Sequence, residues 1–340
     1  MWTSVARPAS LAMALRALRD APPRTRLVAG GTDLVVEQQR GVKPADHLID
    51  LTALDELRYI RIEGDTVALG GLATHNDVLA SPELQRLALP LAQACIEVGA
   101  PQIRTRATIA GNLVTASPAN DTITPLIALD AEVVLAHLDG AESEGVRIVE
   151  RVVRLSDFYT GFRSTVLRPD EIVSEIRFRG LHANRRGIFL KLGLRRAQAI
   201  SVINVAIVIG GETRIALGCV APTIIRAQNA EELLRGRGLD VDLARRAGEI
   251  AAEEIAPIDD IRGSAEYRRQ TVSALVERAL IALMEGREAE GFSSEPVLLE
   301  TPQIRSFSIP KSDGVVARIN GETRELPTAM RTTLLNALRD

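Results

Sequence analysis

The feature that most constrains the fold is a short apolar strand that runs directly into a pair of glycines. Residues 26–29 read Arg-Leu-Val-Ala, Gly30-Gly31-Thr32-Asp33 follow, residues 34–40 have a helical pattern, and residues 47–51 predict another strand. Parallel strands that are joined by a helix place the turn after the first strand at the carboxyl edge of the sheet, where ligands usually bind. The opening of the chain therefore predicts a β-α-β unit with a candidate binding turn.

The glycine pair has a functional and a purely structural interpretation. Adjacent glycines let backbone N–H groups converge on an anion without a Cβ in the way, and the helix that follows adds its positive end. Thr32 can donate a hydroxyl hydrogen bond as well. The sequence lacks both the G-x-G-x-x-G pattern of nicotinamide enzymes and the Gly-Lys-Ser/Thr of a P-loop. A plain tight turn therefore stays open as the alternative.

A second candidate segment spans residues 104–121 and is rich in Thr, Ser and Asn. These side chains can donate to a phosphate, and Asp121 can accept from sugar-like hydroxyls. We expect a loop that binds a ligand, because long structureless loops in compact domains are usually functional. The alternatives are a solvated connector and, for Asp121, an N-cap of the helix predicted at 122–129.

The rest of the chain predicts a mixture of hairpins and helices. Turn signals stand at Gly64-Asp65, Asp139-Gly140, Gly210-Gly211 and Asn320-Gly321. Helical patterns cover residues 11–20, 89–98, 229–235, 243–255 and 265–285, with a helix start at 328–338.

Composition excludes several classes of protein. The 340 residues are 46% hydrophobic, and 41 basic against 44 acidic side chains give a net charge of −3. This near balance argues against a nucleic-acid binder. The sequence has no apolar run of the ~20 residues that a membrane span needs, and its amino end lacks a signal-peptide pattern. We expect a cytoplasmic protein without membrane insertion.

Cysteine and histidine usage predicts no metal site. Cys95 and Cys219 are too few for a disulfide framework or a four-thiolate cluster, and we expect both to be buried, inert thiols. The four histidines share no metal-ligand spacing, so we expect them at the surface or in turns: His47, His75, His137 and His182.

Two glycine-containing segments, Ala29-Gly30-Gly31-Thr32-Asp33-Leu34 and Thr108-Ile109-Ala110-Gly111-Asn112-Leu113, resemble the paired FAD-diphosphate motifs in the flavoprotein subunit of molybdenum hydroxylases. This is the family of xanthine dehydrogenase and carbon monoxide dehydrogenase medium chains. The similarity covers roughly residues 1–286. It continues through the motifs Ser117-Pro118-Ala119-Asn120-Asp121, Ala128-Leu129-Asp130-Ala131, Phe158-Tyr159-Thr160-Gly161-Phe162-Arg163, Leu167-Arg168-Pro169-Asp170-Glu171-Ile172 and Lys191-Leu192-Gly193-Leu194-Arg195.

The resemblance implies an α+β fold with a two-lobed FAD-binding domain, followed by a small antiparallel sheet with a helical bundle. The implied divisions are residues 1–178 for the FAD-binding domain (1–55 a small βαβ lobe, 56–178 a larger mixed lobe), 179–286 for a C-terminal flavoprotein domain and 311–340 for a partial ferredoxin-like hairpin and helix. A shift to Glu, Ser, Pro and Gly without periodicity predicts a linker at 287–310 between them. That last part resembles the start of a [2Fe-2S] domain, yet it has no cysteine and can bind no cluster by itself.

The resemblance also implies the cofactor residues. Leu167 and Lys191 are similar to positions beside the isoalloxazine ring, Ile103 is a further ring contact, and Asp121 is similar to an acidic ligand of the flavin chain. A solvated charge is the alternative for Lys191, and a loop anchor for Ile103. No catalytic side chain is implied, since the flavin supplies the redox chemistry. The candidate cofactor-binding residues are Leu27, Val28, Ala29, Gly30, Gly31, Thr32, Asp33, Leu34, Ile103, Thr108, Ile109, Ala110, Gly111, Asn112, Ser117, Asp121, Leu167 and Lys191.

The implied function is that of an FAD-binding electron-transfer subunit of a molybdenum hydroxylase-type dehydrogenase. Its partners would be a molybdopterin-bearing large subunit and a [2Fe-2S] small subunit in a hetero-oligomer, a dimer of heterotrimers being one such arrangement. An autonomous FAD-dependent oxidoreductase and a non-catalytic assembly protein that retains the fold stay as alternatives. The oxidised substrate and the electron acceptor are not encoded in these motifs.

Overall fold

The amino-terminal sheet has the parallel topology that the opening residues predict. The computed structural model describes residues 2–140, 146–182, 184–299 and 315–326. Three parallel strands lie in the order β1-β3-β2, and two helices flank them: β1 Ser4–Ala6, α1 Leu11–Arg19, β2 Thr25–Val28, α2 Leu34–Gln39 and β3 His47–Asp50. The β-α-β prediction is confirmed. Ser10 caps α1, since its hydroxyl accepts from the Met13 N–H at 3.3 Å.

A second, antiparallel sheet of five strands follows. Its order is β4-β5-β10-β6-β7. A 3-10 turn at Asp55–Leu57 precedes it, and the strands of this region are β4 Ile60–Glu63, β5 Thr66–Gly70, β6 Glu132–Asp139, β7 Arg147–Arg154, β8 Tyr159–Gly161, β9 Ser164–Thr165 and β10 Ile172–Arg179. The helices are α3 His75–Ala80, α4 Pro82–Leu87, α5 Leu89–Glu97, α6 Pro101–Arg104, α7 Ile109–Thr115, α8 Ile123–Ala128 and α9 Leu155–Phe158.

The segment predicted as a loop at 104–121 contains helix α7, so that expectation was wrong. Thr108 caps the helix by accepting the Gly111 N–H at 3.0 Å. Ile109 and Leu113 on its inner face are fully buried. Gly111 and the β-branched residues of α7 have low helix propensity, so the sequence pattern does not predict this helix. Burial and capping stabilise it instead.

A third sheet packs against the carboxyl-terminal helices. Its antiparallel strands lie in chain order, β11 Arg186–Gly193, β12 Ser201–Ile209, β13 Arg214–Gly218 and β14 Ile225–Arg226. The helices α10 Gln228–Leu234, α11 Val241–Glu253 and α12 Ala265–Glu285 follow. Apolar side chains of this sheet and of these helices form one buried cluster, which confirms the expected small sheet with helices.

Residues 1–299 form one compact unit and residues 300–340 a second. The predicted linker at 287–310 is described as far as Leu299, and in this part Phe292 and Leu298 pack against the buried core. In the second unit, β15 Val315–Ile319 and β16 Glu322–Leu326 form the predicted hairpin. Asn320 and Gly321 have φ angles of 51° and 90°, as a tight hairpin turn requires. The helix start predicted at 328–338 lies outside the described residues.

A buried arginine links α12 to the third sheet. Arg268 is 1% exposed, and its guanidinium donates to the Val202 carbonyl at 2.5 Å, the Cys219 carbonyl at 2.9 Å and Asp260 Oδ1 at 2.7 Å. These three acceptors come from different parts of the chain, so this one side chain holds the start of β12 beside the start of α12.

We expect Arg268→Ala to lower the free energy of unfolding by about 3 kcal/mol, because it leaves a cavity and buried acceptors without a donor. Arg269→Ala is the matched control. The Arg269 side chain is exposed, and its loss should cost less than about 0.5 kcal/mol. Chemical denaturation of both variants measures the difference, and equal values would show that the buried network contributes nothing to stability.

Candidate functional site

A cavity of about 500 Å³ lies where the two glycine segments meet. It opens at the carboxyl end of β2, and its floor comes from the residues after β5 and the start of α7. Fourteen of the predicted site residues line it: Leu27, Val28, Ala29, Gly30, Gly31, Thr32, Asp33, Leu34, Ile103, Thr108, Ala110, Gly111, Asn112 and Leu167. The structure therefore brings together the glycine motifs, Ile103 and Leu167 at one site.

The first glycine turn presents free backbone donors. Within the described part of the chain, the N–H groups of residues 30–34 donate no hydrogen bond. Gly31 has a φ of 74°, a conformation that L side chains rarely adopt. Successive N–H groups without partners in such a turn are a typical anion-binding arrangement.

Close backbone packing joins the two glycine segments. A Cβ on Gly30 would overlap the carbonyl oxygen of Arg106, so only glycine lets the first turn lie against residues 106 and 107. The hydroxyl of Thr115 in α7 donates to Asp33 Oδ2 at 3.1 Å, which forms a second link. The two motifs are therefore one structural unit.

Backbone hydrogen bonds join the second segment to the residues that follow β5. The Ile109 N–H donates to the Ala73 carbonyl at 2.9 Å, and the His75 N–H donates to the Ala107 carbonyl at 3.2 Å. On the far side of α7, Asn112 Oδ1 accepts from the Thr122 hydroxyl at 2.6 Å. These bonds fix α7 between the second sheet and helix α8.

Charged side chains that the sequence analysis missed also line the cavity. Arg151 donates two hydrogen bonds to the Glu171 carboxylate, at 2.6 and 2.8 Å. Burial by itself would raise the pKa of Glu171. The hydrogen bonds from Arg151 and from the Arg168 N–H outweigh burial and hold this pKa below its usual value. Glu37 lies near the first turn, with Arg26 at 2.7 Å and Arg163 at 3.4 Å. Arg163 and Glu171 lie in two of the motifs quoted above, so the family resemblance could have identified both as candidate site residues. The positions of Arg26, Glu37 and Lys43 depend on packing that local patterns do not encode.

Four predicted site residues do not line the cavity. Ile109 is buried in the core side of α7, and the Ser117 hydroxyl accepts from the Ala119 N–H at 3.3 Å. Asp121 and Lys191 form a buried ion pair in which Nζ and Oδ2 are 2.7 Å apart. Their roles beside a flavin stay predictions.

Asp121 is the centre of a buried polar cluster. It also accepts from Ser201 at 2.5 Å and from Asn204 at 3.2 Å, while Lys191 donates to the Glu97 carbonyl at 3.1 Å. Burial raises the pKa of Asp121, although these donors oppose that effect. The carboxylate does not cap helix α8, whose N-cap position is held by Thr122. The two alternatives given for these residues, a helix cap and a solvated charge, are therefore wrong.

The expectation that all histidines lie at the surface or in turns was wrong for His75, which is fully buried at the start of α3 and also lines the cavity. Its Nδ1 is 3.6 Å from Cys95 Sγ. Burial and the nearby Arg104 charge lower the pKa of His75 to about 3, and burial raises the pKa of the Cys95 thiol. The expectation of buried thiols is confirmed for both cysteines.

The comparisons with known proteins agree with this geometry. Residues 2–178 match the family described as the FAD binding domain in molybdopterin dehydrogenase, and residues 189–283 match the CO dehydrogenase flavoprotein C-terminal domain. The chain is 32% identical over 285 residues to the nicotinate dehydrogenase FAD-subunit of Eubacterium barkeri, which covers 81% of this chain and 92% of that protein. It is 31% identical over 281 residues to the carbon monoxide dehydrogenase medium chain of Hydrogenophaga pseudoflava, with coverage of 81% and 94%.

Solved structures show the same fold. The carbon monoxide dehydrogenase of Hydrogenophaga pseudoflava gives a TM-score of 0.75 at 32% identity, over 85% of this chain and 99% of that chain. Fold and site thus define a flavin-binding dehydrogenase component. The chain belongs to the FAD-binding subunits of the molybdenum hydroxylase family, and its cofactor is FAD.

The cavity fits this cofactor. The free N–H groups of residues 30–34 suit a diphosphate, and Ile103 and Leu167 supply apolar surface. The described residues contain no group of three or more His, Cys, Asp or Glu side chains that could hold a metal ion. No helix in the described ranges is both long and apolar enough to cross a membrane.

The buried histidine predicts an acid sensitivity of the fold. An unfolded histidine has a pKa of about 6.5, so the low folded value gives stability that is present above pH ~6.5 and is lost as the pH falls toward about 3. We expect the free energy of unfolding to decrease less between pH 7 and pH 4 in His75→Gln than in the unmodified chain. His47→Gln, a partly exposed control, should keep the full decrease, and an unchanged pH profile in His75→Gln would contradict the prediction.

Proposed function

We propose that this chain accepts electrons from the [2Fe-2S] clusters of a partner subunit and passes them through FAD to an external acceptor. The main observation behind the proposal is the row of free N–H groups at residues 30–34. These groups and the Thr108–Gly111 segment line the same cavity. Membership of the molybdenum hydroxylase family supports the same function.

Within this proposal, the backbone of residues 30–34 binds the diphosphate and the Thr32 hydroxyl adds a donor. Lys43 adds positive charge beside the cavity, as do Arg26 and Arg163, although both of these arginines are also paired with Glu37. Ile103 and Leu167 cover apolar parts of the cofactor and exclude water. FAD, when bound, supplies the one- and two-electron chemistry that connects iron–sulfur clusters to the acceptor.

We further propose that Asp121 and Lys191 hold the C-terminal domain against the FAD-binding domain. Asp121 lies in the matched region 2–178, while Lys191, Ser201 and Asn204 lie in the matched region 189–283. Their hydrogen bonds cross the division proposed at 178 and 179. The pair would thereby fix the position of Lys191, whose predicted place is beside the flavin ring.

The proposed partners follow from the relatives. The carbon monoxide dehydrogenase matches are medium chains by name. We propose that this chain likewise assembles in the cytoplasm with a molybdopterin-bearing large subunit and a [2Fe-2S] small subunit.

Two glycines that both have positive φ angles allow the role of the first turn in FAD binding to be tested. Gly31 and Gly64 have φ angles of 74° and 58°, so valine strains both turns, but only Gly31 lines the cavity. We expect Gly31→Val to weaken FAD binding at least tenfold, because strain and a bulky side chain displace the diphosphate donors. Gly64→Val should retain the flavin content of the unmodified protein. Flavin absorbance per protein measures both, and normal binding by Gly31→Val would show that the turn is not part of the flavin site.

The electron-transfer prediction requires the native complex. We expect purification to recover the chain with FAD together with molybdopterin- and cluster-bearing subunits, and the flavin absorbance to bleach when the substrate of the complex is added without oxygen. A yellow protein that purifies alone and turns over by itself would support the autonomous oxidoreductase. A flavin that stays oxidised while the clusters are reduced would contradict the proposed electron path.

A further inference from the structure

Residues 287–299, the C-terminal strap, lie beyond residue 283, where the matched C-terminal family domain ends. Helix α12 ends at Glu285, and Gly286 has a φ of 77° that turns the chain away from the helix axis. From there the strap runs back along residues of the FAD-binding domain. We propose that the strap holds the segment at 104–108 in place and thereby slows the release of FAD, an inference that rests on the flavin cavity proposed above.

The first part of the strap is fixed by charge and by a buried amide. Glu288 forms a two-bond ion pair with Arg186 at the start of β11, and one of these bonds measures 2.8 Å. The Gln93 amide of helix α5 donates to the Glu288 carbonyl at 2.7 Å and accepts from the Phe189 N–H at 2.8 Å. The strap therefore begins at a rigid point where both domains meet.

The middle and end of the strap are fixed by alternate burial. Phe292 and Leu298 pack against the main apolar core, whereas the neighbouring Val297 side chain is 74% exposed. The inward residues thus anchor an irregular segment whose backbone carbonyls stay available as acceptors.

Two of those carbonyls bind the segment before α7. Arg104, only 5% exposed, donates to the Val297 carbonyl at 3.4 Å and to the Ile96 carbonyl at 2.8 Å. The Thr105 hydroxyl, whose shorter bond is to the Pro101 carbonyl at 2.9 Å, also contacts the Leu299 carbonyl at 3.2 Å. The strap therefore contacts the turn at residues 104 and 105. Without the strap, only local hydrogen bonds would hold this turn in place.

This turn leads directly into the cavity. Ile103 and Ala107 on either side of Arg104 and Thr105 line it, and the backbone of Arg106 lies against Gly30. A loosened strap would let residues 104–107 move away from the glycine turn. Arg104 and Thr105 are positioning residues, because they act on the cavity through their neighbours.

The test compares adjacent strap residues in the full-length chain. Leu298→Ser removes the anchor, and we expect FAD to dissociate about tenfold faster, as the loss of a few hydrogen bonds in the turn predicts. Val297→Ser changes an exposed side chain, keeps the same carbonyl and should leave the rate unchanged. Recovery of free FAD fluorescence after dilution gives the rate, and the melting temperature of the flavin-free protein reports stability separately.

A second pair of variants, both at Thr105, tests the inference if Leu298→Ser does not fold. Thr105→Val removes the hydroxyl at constant shape, together with its contacts to the Leu299 and Pro101 carbonyls, and should speed FAD release about threefold. Thr105→Ser keeps the hydroxyl and should retain the original rate. Unchanged release in Thr105→Val, or a lower melting temperature with unchanged release in Leu298→Ser, would overturn the inference and leave the strap as a simple cover. An unmodified protein that binds no FAD would instead overturn the proposed function.

Discussion

The contact between Gly30 and the backbone of residues 106 and 107 is the constraint on which the site depends. At this distance no side chain fits between the two segments, so their backbones meet directly. The free N–H groups at 30–34 and the capped start of α7 thereby belong to one surface, although more than seventy residues separate them in sequence. The hydrogen bond between Thr115 and Asp33 reinforces this contact, and the strap contacts Thr105, the residue before it.

The second organising element is the polar cluster around Asp121. A buried carboxylate is costly unless it is paired and hydrogen-bonded, and here three donors, one of them the charged Lys191, come from residues 191–204. Apolar packing could hold the domains together with less precision. A satisfied ionic cluster, by contrast, favours one relative arrangement of β11, β12 and α8, because any shift leaves a charge unpaired.

Local patterns predicted most of the fold and singled out the two glycine segments that line one cavity, and the failures have a physical cause. The β-α-β unit, the hairpins at Gly210-Gly211 and Asn320-Gly321 and the helices at 11–19 and 265–285 follow from turn chemistry and periodicity. Helix α7 was missed because its stability comes from Thr108 and from burial, not from helix propensity. The pairing of Lys191 with Asp121, and the packing of Phe292 on the core, are long-range contacts that no window of sequence contains.

The two cysteines have a consequence for the chemical durability of a redox protein. The thiolate is the form that peroxide and electrophiles attack, and burial raises the pKa of Cys219 to about 12 and that of Cys95 still higher. At neutral pH both sulfurs are almost wholly protonated and shielded by packed side chains. A flavoprotein whose reduced cofactor meets oxygen is exposed to the peroxide it generates. In this chain the two described thiols are therefore poor targets for oxidation by that peroxide.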